Sequence, residues 1–171
     1  MSEEYALQFL QANMHLSAPE LEDGRLDLNN AGQFDAVLHS LCDLRAARGV
    51  LTCEFTVPAS LCNRRGTLHG GAIGTIVDIL STGALATQSE RLGVSLNINT
   101  DYLIAIPQGE QCKVVCKVVK LGRTIATLNV ELWRQKTGQL AAQGRHVKFL
   151  DTAEKRLEAW CVVLGAVPAA Y

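Results

Sequence analysis

The chain has 171 residues, of which 48% are hydrophobic and 19% charged, and its formal net charge is -1. This composition is typical of one globular domain with a sizeable core and argues against an intrinsically disordered chain. Nucleic-acid binders usually carry a basic surplus or clustered Lys and Arg, and neither is present. We therefore expect no nucleic-acid partner.

The N-terminus and the cysteines also exclude several classes of protein. The opening MSEEYALQFL is acidic and lacks the basic and apolar regions of a signal peptide. No apolar run reaches the ~18 residues that would span a bilayer, so we expect no membrane span. The six cysteines form no C-x-x-C pair and have no histidine cluster beside them. We expect six reduced thiols and no metal site.

The first part of the chain leads to one strand. Residues 1–32 end in the loop-like EDGRLDLNNAG and are treated as an N-terminal extension. FDAVLHSL, residues 34–41, has apolar residues at helical spacing. GVLTCEFTVP alternates and contains β-branched residues, which predicts a strand that ends at Pro58, and ASLCNRRGTLHGG is predicted to be a loop.

The most apolar segment is a predicted helix that contains one carboxylate. GTLHGGAIGTIVDIL, from Gly66 to Leu80, is hydrophobic on nearly every side, and such a helix must be buried on most of its surface. Asp78 has no Lys or Arg three or four residues away on this helix. We therefore expect a desolvated carboxylate without a cation partner, which suits a general base better than a surface role.

Four further strands are predicted after Gly93. VSLNINTDYLI alternates, with Val94, Leu96 and Ile98 on one face and Ser95 on the opposite, polar face. CKVVCKVVK also fits a helical face, but its valines and the flanking turn residues favour a strand. TIATLNVELW is followed by the hairpin turn KTGQ and by LAAQGRHVKFL. Its predicted inward-facing residues are Ala126, Leu128, Val130 and Leu132.

This order of elements predicts an α+β domain, with an antiparallel β-sheet wrapped around one long central α-helix. The domain spans residues 33–152, and Gly74, Gly83 and Ala84 are expected to let the sheet approach the helix closely. Residues 153–171 form an apolar tail that contains LEAWCVVLGAVPAA. This tail is too short to span a membrane, so we expect it to pack on the protein or a subunit interface, with Trp160 as anchor.

The start of the predicted helix suits the chemistry of an ester or thioester carbonyl. HGG at a helix N-terminus offers amide N–H groups that the helix does not use, together with the positive end of the helix dipole. We therefore predict that the Gly70 amide binds a developing oxyanion, with Gly71 leaving room for the substrate. The loop lacks the spacings of a phosphate-binding loop, G-x-G-x-x-G or a Gly-Lys-Ser/Thr ending.

Four segments resemble the hotdog-fold acyl-CoA thioesterases of the PaaI-like (phenylacetic-acid-degradation) group. They are NRRGTLHGGAIGTIVDILSTGAL, GVSLNINTDYL, LGRTIATLNVEL and TGQLAAQGRHVKFL, and the similarity covers residues 45–150. The resemblance implies a hotdog fold, hydrolysis of acyl-CoA and no metal or redox cofactor. It also implies a homodimer at minimum, with a homotetramer built as a dimer of dimers, and a cytoplasmic or mitochondrial location. Medium- or long-chain fatty acyl-CoA is favoured over aryl-CoA.

The resemblance also assigns roles to individual residues. Asp78 is the nucleophile or general base, Asn63 faces the reacting centre, and His69 contacts substrate or Asn63. Ser95 orients the attacking water, although the segment between Asp78 and Ser95 is one residue shorter than the family pattern. The simpler alternatives are a turn for Asn63, a helix cap for His69 and solvent exposure for Ser95. The candidates by position for the coenzyme A phosphates are Arg123, Arg145 and Lys148.

Spacing along the helix predicts a shared site. Asp78 lies eight residues after Gly70, which is ~12 Å along a helix axis. The carboxylate therefore cannot act on a carbonyl held at the start of its own helix, and a second chain must supply one of the two groups. Two alternatives remain open at this point: a hydratase or dehydratase of acyl thioesters, which would need a His with a carboxylate, and a non-catalytic acyl-CoA-binding protein.

Overall fold

The computed structural model describes Val37 and residues 40–150. The predicted N-terminal extension, most of the predicted helix at 34–41 and the predicted packing of the apolar tail lie outside the described residues. The described chain contains one long helix and six strands. The helix is α1 (Gly70–Ala86), and the strands are β1 (Cys42–Ala47), β2 (Val50–Thr56), β3 (Val94–Tyr102), β4 (Gln111–Leu121), β5 (Ile125–Arg134) and β6 (Gln139–Phe149).

The six strands form one antiparallel sheet in the order β1-β2-β4-β5-β6-β3, and α1 packs against its inner face. The predicted antiparallel sheet around one helix is therefore confirmed. The four residues of β5 that we expected to face inward are all buried: Ala126, Leu128, Val130 and Leu132. They lie in two buried clusters, the larger of which includes Ile73, Ile76, Val77 and Leu80 of the helix.

Strand β1 is the element that the sequence did not predict. Its residues CDLRAA have weak strand preference, and its pairing with β2 shifts register between Cys42 and Arg45. Asp43 adopts a positive φ of 49° within it. Pairing with the neighbouring strand β2 therefore holds β1 in the sheet. The tight turn between the two strands contains Gly49, which has a φ of 76°.

The close approach of helix and sheet occurs at Gly144 of β6, which corrects the prediction for Gly74. A Cβ at Gly144 would lie 2.6 Å from both γ-carbons of Val77, whereas a Cβ at Gly74 would meet nothing within 4 Å among the described residues. Gly74 faces the side of α1 that the sheet does not cover. A small residue on the strand therefore permits the contact at Val77, whereas Gly83 and Ala84, the other two predicted residues, are buried on the helix.

A β-bulge in β3 corrects the predicted orientation of Ser95. Ser95 pairs with Lys148 and Asn97 pairs with Val147, so β3 advances two residues while β6 advances one. Paired residues project to the same face, so Ser95 shares the inner face with Lys148 and His146. Strict alternation placed Ser95 on the outer face, and the extra residue reverses this.

Candidate active site

The Asp78 side chain lies on the side of α1 that the sheet leaves uncovered. The partly or fully exposed residues on this side follow helical spacing: Gly71, Thr75, Asp78 and Thr82. The Asp78 side chain is 47% exposed, so within a single chain it is not desolvated as the sequence analysis predicted. The acid is accessible to water and substrate.

Three polar side chains converge beside this carboxylate. Ser95 Oγ lies 3.4 Å from Asp78 Oδ1 and 2.8 Å from His146 Nε2. The other ring nitrogen, His146 Nδ1, lies 2.7 Å from Ser81 Oγ. The structure thus brings Asp78 and Ser95 together, as the resemblance implied, and adds His146 and Ser81, which the sequence analysis did not select.

The arrangement of Ser95, His146 and Asp78 differs from that of a serine hydrolase. In a Ser-His-Asp triad the serine contacts one ring nitrogen while the carboxylate holds the other. Here His146 Nε2 is close to both Ser95 Oγ, at 2.8 Å, and Asp78 Oδ1, at 3.7 Å. The second ring nitrogen faces Ser81 instead. The geometry therefore does not build an activated serine nucleophile.

His146 is fully buried and close to a buried cation. Burial and, to a smaller extent, the nearby Lys148 charge lower the pKa of His146 to about 4, while the Asp78 charge opposes the shift. At neutral pH the imidazole is therefore uncharged. It has no exposed surface through which to meet a substrate.

Lys148 lies inside the protein, which corrects its assignment as a surface phosphate ligand. Its side chain is buried, and Nζ donates to Thr82 Oγ1 of the helix at 3.0 Å. Phosphate groups of a bound coenzyme need a cation at the mouth of a groove. Lys148 instead carries a positive charge into the polar cluster beneath α1.

The first turn of α1 leaves the Gly70 amide without a hydrogen-bond partner among the described residues. His69 is the N-cap residue, and its Nδ1 accepts a hydrogen bond from the Gly71 N–H at 2.8 Å. Within the described part of the chain, no hydrogen bond uses the Gly70 N–H. The capping role of His69 is thus observed, and the contact with Asn63 that the resemblance implied is not. Gly70 remains as the donor that can face a carbonyl oxygen.

Tyr102 lies against the same turn and was missed by the sequence analysis. Its hydroxyl donates to the Gly70 carbonyl at 3.1 Å, and a Cβ at Gly70 would lie 3.4 Å from its ring. The end of β3 therefore packs on the start of α1. Glycine at position 70 keeps the space between the Tyr102 ring and the helix open.

Asn63 organises the loop before the helix. Its Nδ2 donates to Thr67 Oγ1 at 2.9 Å, and its Oδ1 accepts from the Arg65 N–H at 2.9 Å. This is the turn role considered as the simpler alternative. An Asn amide has two N–H donors, and the bond to Thr67 uses one of them. Asn63 therefore still has one donor for a substrate oxygen.

The remaining predicted cations lie away from this cluster. Arg145 is exposed between the buried Gly144 and His146, so it points to the outer face of the sheet, where it lines a polar groove of about 270 Å³. Arg123 is exposed in the turn between β4 and β5, where its carbonyl accepts a hydrogen bond from Arg91 at 2.9 Å. Neither is brought to Asp78 within the chain.

Comparison with known proteins places this site in a family. A family model described as "Thioesterase superfamily" matches residues 65–141, the segment that contains α1 and the strands β3, β4 and β5. Acyl-coenzyme A thioesterase 13 of Mus musculus is 41% identical over 118 residues, which are 68% of this chain and 84% of the relative. The chain belongs to the thioesterase superfamily.

Solved structures agree with this placement of the thioesterase. The crystal structure of zebra fish thioesterase superfamily member 2 has 35% sequence identity and a TM-score of 0.74, covering 88% of this chain and 99% of that chain. The PaaI protein of E. coli, from the phenylacetic acid degradation operon, shares the fold with a TM-score of 0.57 at 19% identity, over 65% of this chain and 78% of that one. The recognised family and the hotdog fold are therefore confirmed, and the protein is a thioester hydrolase.

Three further expectations can be compared with the described residues of this thioesterase. Residues 40–150 contain no group of three or more His, Cys, Asp or Glu side chains that could hold a metal ion. Four of the six cysteines are described as free thiols: Cys53, Cys62, Cys112 and Cys116. Among the described helices, none is both long and apolar enough to cross a bilayer.

Proposed function

We propose that this protein hydrolyses acyl-CoA to a free acid and coenzyme A, at sites shared between two copies of the chain. The observation that supports it most directly is the position of Asp78, a partly exposed carboxylate held beside Ser95 on an uncovered helix face. The free Gly70 N–H lies at the start of the same helix, ~12 Å away along its axis. The acyl-CoA substrate follows from the name of the mouse relative.

The chemistry divides between the start of the helix, at Gly70, and its middle, at Asp78. The Gly70 amide of one copy polarises the thioester carbonyl, and the helix dipole stabilises the negative charge that develops on its oxygen. The remaining amide hydrogen of Asn63 assists from the preceding loop. Asp78 of the other copy removes a proton from water, or attacks directly, while Ser95 fixes the position of the water. The thiolate of coenzyme A then leaves, and if Asp78 has attacked directly, water hydrolyses the resulting anhydride to release the acid and restore Asp78.

The exposed strand β3 supports the pairing of two copies. β3 is the last strand of the sheet, and in the described chain only one of its edges is paired, with β6. Several apolar residues on or next to it are exposed: Val94, Leu96, Ile98, Tyr102 and Leu103. An unpaired edge with exposed apolar side chains is a template for pairing with another strand. Pairing of β3 with β3 of a second copy would satisfy this edge by two-fold symmetry, and two such dimers would make the tetramer.

We further propose that the acyl group is a medium- or long-chain fatty acid, with an aryl group as the alternative. The substrate class is tested by supplying acyl-CoAs of increasing chain length and phenylacetyl-CoA, and by measuring thiol release colorimetrically. We expect the highest kcat/KM with fatty chains. Release that is restricted to aryl substrates would select the alternative, and binding without any thiol release would contradict the hydrolase.

A hydratase is less well supported, although a histidine does lie beside the carboxylate. Proton abstraction next to a carbonyl needs a base within hydrogen-bond reach of the substrate. His146 is fully buried, and Ser95 and Ser81 occupy its two nitrogens. His69 caps the helix through Nδ1. Asp78 therefore remains as the accessible base, which suits activation of water.

Mixing two inactive variants tests the shared site. Asp78→Asn and Asn63→Ala would each inactivate both sites of a dimer made of one variant only. In each shared site, one copy contributes Asn63 and the other contributes Asp78. In a mixed dimer one site carries both lesions and the other carries none. Random assembly makes half of the dimers mixed, so activity should recover to roughly a quarter of wild type. Confirmed mixed dimers without recovery would show that each site is built within one chain.

A further inference from the structure

A continuous chain of short polar contacts runs beneath the catalytic carboxylate. It connects Ser81 Oγ to His146 Nδ1 at 2.7 Å, and His146 Nε2 to Ser95 Oγ at 2.8 Å. It then connects Ser95 Oγ to Asp78 Oδ1 at 3.4 Å. The ring belongs to β6, the two serines to α1 and β3, so three elements meet at one imidazole. The direction of these hydrogen bonds depends on which ring nitrogen carries the proton.

The carboxylate favours the proton on Nε2. His146 Nε2 lies 3.7 Å from Asp78 Oδ1. If Nε2 were unprotonated, its lone pair would face this negative oxygen with no proton between them, which is unfavourable. A proton on Nε2 converts this contact into an attraction and provides a donor for Ser95.

The contact between Ser81 and His146, at the other end of this series of polar contacts, also favours the proton on Nε2. The Asp78 main-chain carbonyl already accepts from Thr82 Oγ1 at 2.9 Å, besides its place in the helix. The Ser81 hydroxyl lies 3.1 Å from this crowded carbonyl but only 2.7 Å from His146 Nδ1. Since Ser81 has one hydroxyl proton, the shorter and less contested bond to Nδ1 is favoured, and this leaves Nδ1 as an acceptor.

The charged groups around the ring keep it neutral. Lys148 on β6 and Asp78 on α1 are the titratable groups that act on it, and the ring itself has no exposed surface. A neutral imidazole has one N–H, and that proton is already assigned to Nε2. His146 therefore holds its proton at a fixed place while the reaction proceeds above it.

We infer that His146 is a positioning residue for hydrolysis, whose Nε2–H donates to Ser95 Oγ and turns the Ser95 hydroxyl proton towards Asp78 Oδ1. The inference rests on the proposed function, in which Asp78 and Ser95 act on water. Ser95 then keeps one lone pair for a hydrogen of the attacking water. Asp78 Oδ1 is held in place, and the second carboxylate oxygen, Oδ2, is left to take the proton. His146 acts through Ser95 and does not touch the substrate.

The tautomer can be measured without any substrate. With ¹⁵N-labelled histidine in the full-length wild-type protein, NMR distinguishes a protonated Nε2 from a protonated Nδ1 and from an imidazolium. The chain has four histidines, and His146→Gln identifies the signal of interest by its loss. We expect an Nε2–H tautomer that is unchanged between pH 8 and pH 6. A proton on Nδ1, or a charged ring in this range, would overturn the inference whether or not the protein hydrolyses acyl-CoA.

Two amide substitutions test the positioning role during catalysis. The amide nitrogen of His146→Gln can reach the place of Nε2 and donate to Ser95, whereas that of His146→Asn reaches only the place of Nδ1. We expect His146→Gln to keep kcat within about three-fold of wild type and His146→Asn to lose at least about ten-fold, with similar KM for both. Melting and sedimentation serve as controls for folding and assembly.

The effect must also disappear when Ser95 is removed. In a Ser95→Ala background, the Gln and Asn variants should have equal kcat, because the donor at position 146 no longer has a hydroxyl to orient. A difference that persists without Ser95 would show that His146 acts by another route. Equal losses for Gln and Asn in the wild-type background would show a purely structural role. If the NMR result holds and no acyl-CoA is hydrolysed, the proposed function fails and the assigned tautomer stands.

Discussion

The carboxylate of Asp78 is held on one side and open on the other. Ser95 contacts Oδ1 from β3, and the uncovered face of α1 leaves the group 47% exposed. No cation lies on its own helix within four residues. We therefore expect catalysis to depend on the negative charge of Asp78 next to bound water. Replacing the carboxylate by a neutral group of the same shape tests the charge while the geometry stays the same.

We predict that Asp78→Asn lowers kcat by at least about 100-fold and leaves folding and assembly unchanged. Asparagine keeps the size of the side chain and can still accept a hydrogen bond from Ser95, but it cannot accept a proton from water. The measurement is thiol release at saturating substrate. Asp43→Asn, an exposed change of the same kind on β1 at the other edge of the sheet, is the matched control and should keep full activity. Near-normal turnover of correctly assembled Asp78→Asn would exclude Asp78 as base or nucleophile.

At the scale of elements, β6 determines how closely the sheet approaches the helix. Gly144 allows contact with Val77, and two residues further along the same inner face His146 reaches the polar cluster. β6 therefore contributes both to packing, through Gly144, and to the position of Ser95, through His146. A change in its distance from α1 would affect both stability and the geometry at Asp78.

We predict that Gly144→Ala lowers the free energy of unfolding by about 1–3 kcal/mol, because its Cβ would overlap the branched, stiff side chain of Val77. Thermal or denaturant unfolding is the measurement. Gln143→Ala changes the adjacent, outward-facing residue and should have little effect. The double variant Val77→Ala/Gly144→Ala should lose less than the sum of the two single losses, since the smaller side chain makes room. Strict additivity would mean that the two residues are not in contact.

The elements were predictable where one physical signal dominated. The apolar length of α1 and the alternation of β5 were sufficient, because burial on one face fixes the strand register. The orientation of Ser95 was not predictable, since a bulge adds a residue without a sequence signal of its own. His146 could have been found: alternation in LAAQGRHVKFL puts His146 and Lys148 on the inner face, where polar residues are uncommon. The sequence analysis selected Arg145 and Lys148 from that segment as phosphate ligands and did not consider His146.

For the whole molecule, the described chain leaves the β3 edge of the sheet and one helix face without a neighbour from the same chain. β3 exposes a series of apolar side chains, and the same side of the protein presents Asp78. The Gly70 amide and the carboxylate are at opposite ends of that region. Assembly is therefore expected to control activity directly.

We predict that Leu96→Lys produces monomers and abolishes thioesterase activity. Leu96 is 57% exposed within one chain, so the change costs little folding stability, but it places a charge on the edge that we propose for pairing. Val119→Lys is the matched control, because Val119 is 58% exposed on β4, away from that edge. Sedimentation velocity and thiol release are measured together. An active Leu96→Lys monomer would contradict the shared site, and an unchanged oligomer would place the interface elsewhere.

We also predict that the protein loses stability as the pH falls from about 6.5 to about 4. The pKa of His146 is lowered to about 4 from 6.5 by burial, so in this window the unfolded chain takes up a proton that the native protein does not. The free energy of unfolding therefore decreases with falling pH, by up to about 3 kcal/mol for this group. Urea unfolding at several pH values should show a smaller decrease for His146→Gln. The same decrease in both proteins would show that other groups are responsible.

The bulge in β3 also has a consequence for how related chains can differ in length. The extra residue at Leu96 comes directly after Ser95, so the register of the rest of β3 does not by itself determine which residue lies opposite Lys148. Counting positions from Asp78 would then assign the wrong residue in a homologue with a longer or shorter turn. The residue to compare is the one that pairs opposite Lys148, whatever its distance along the chain from the helix.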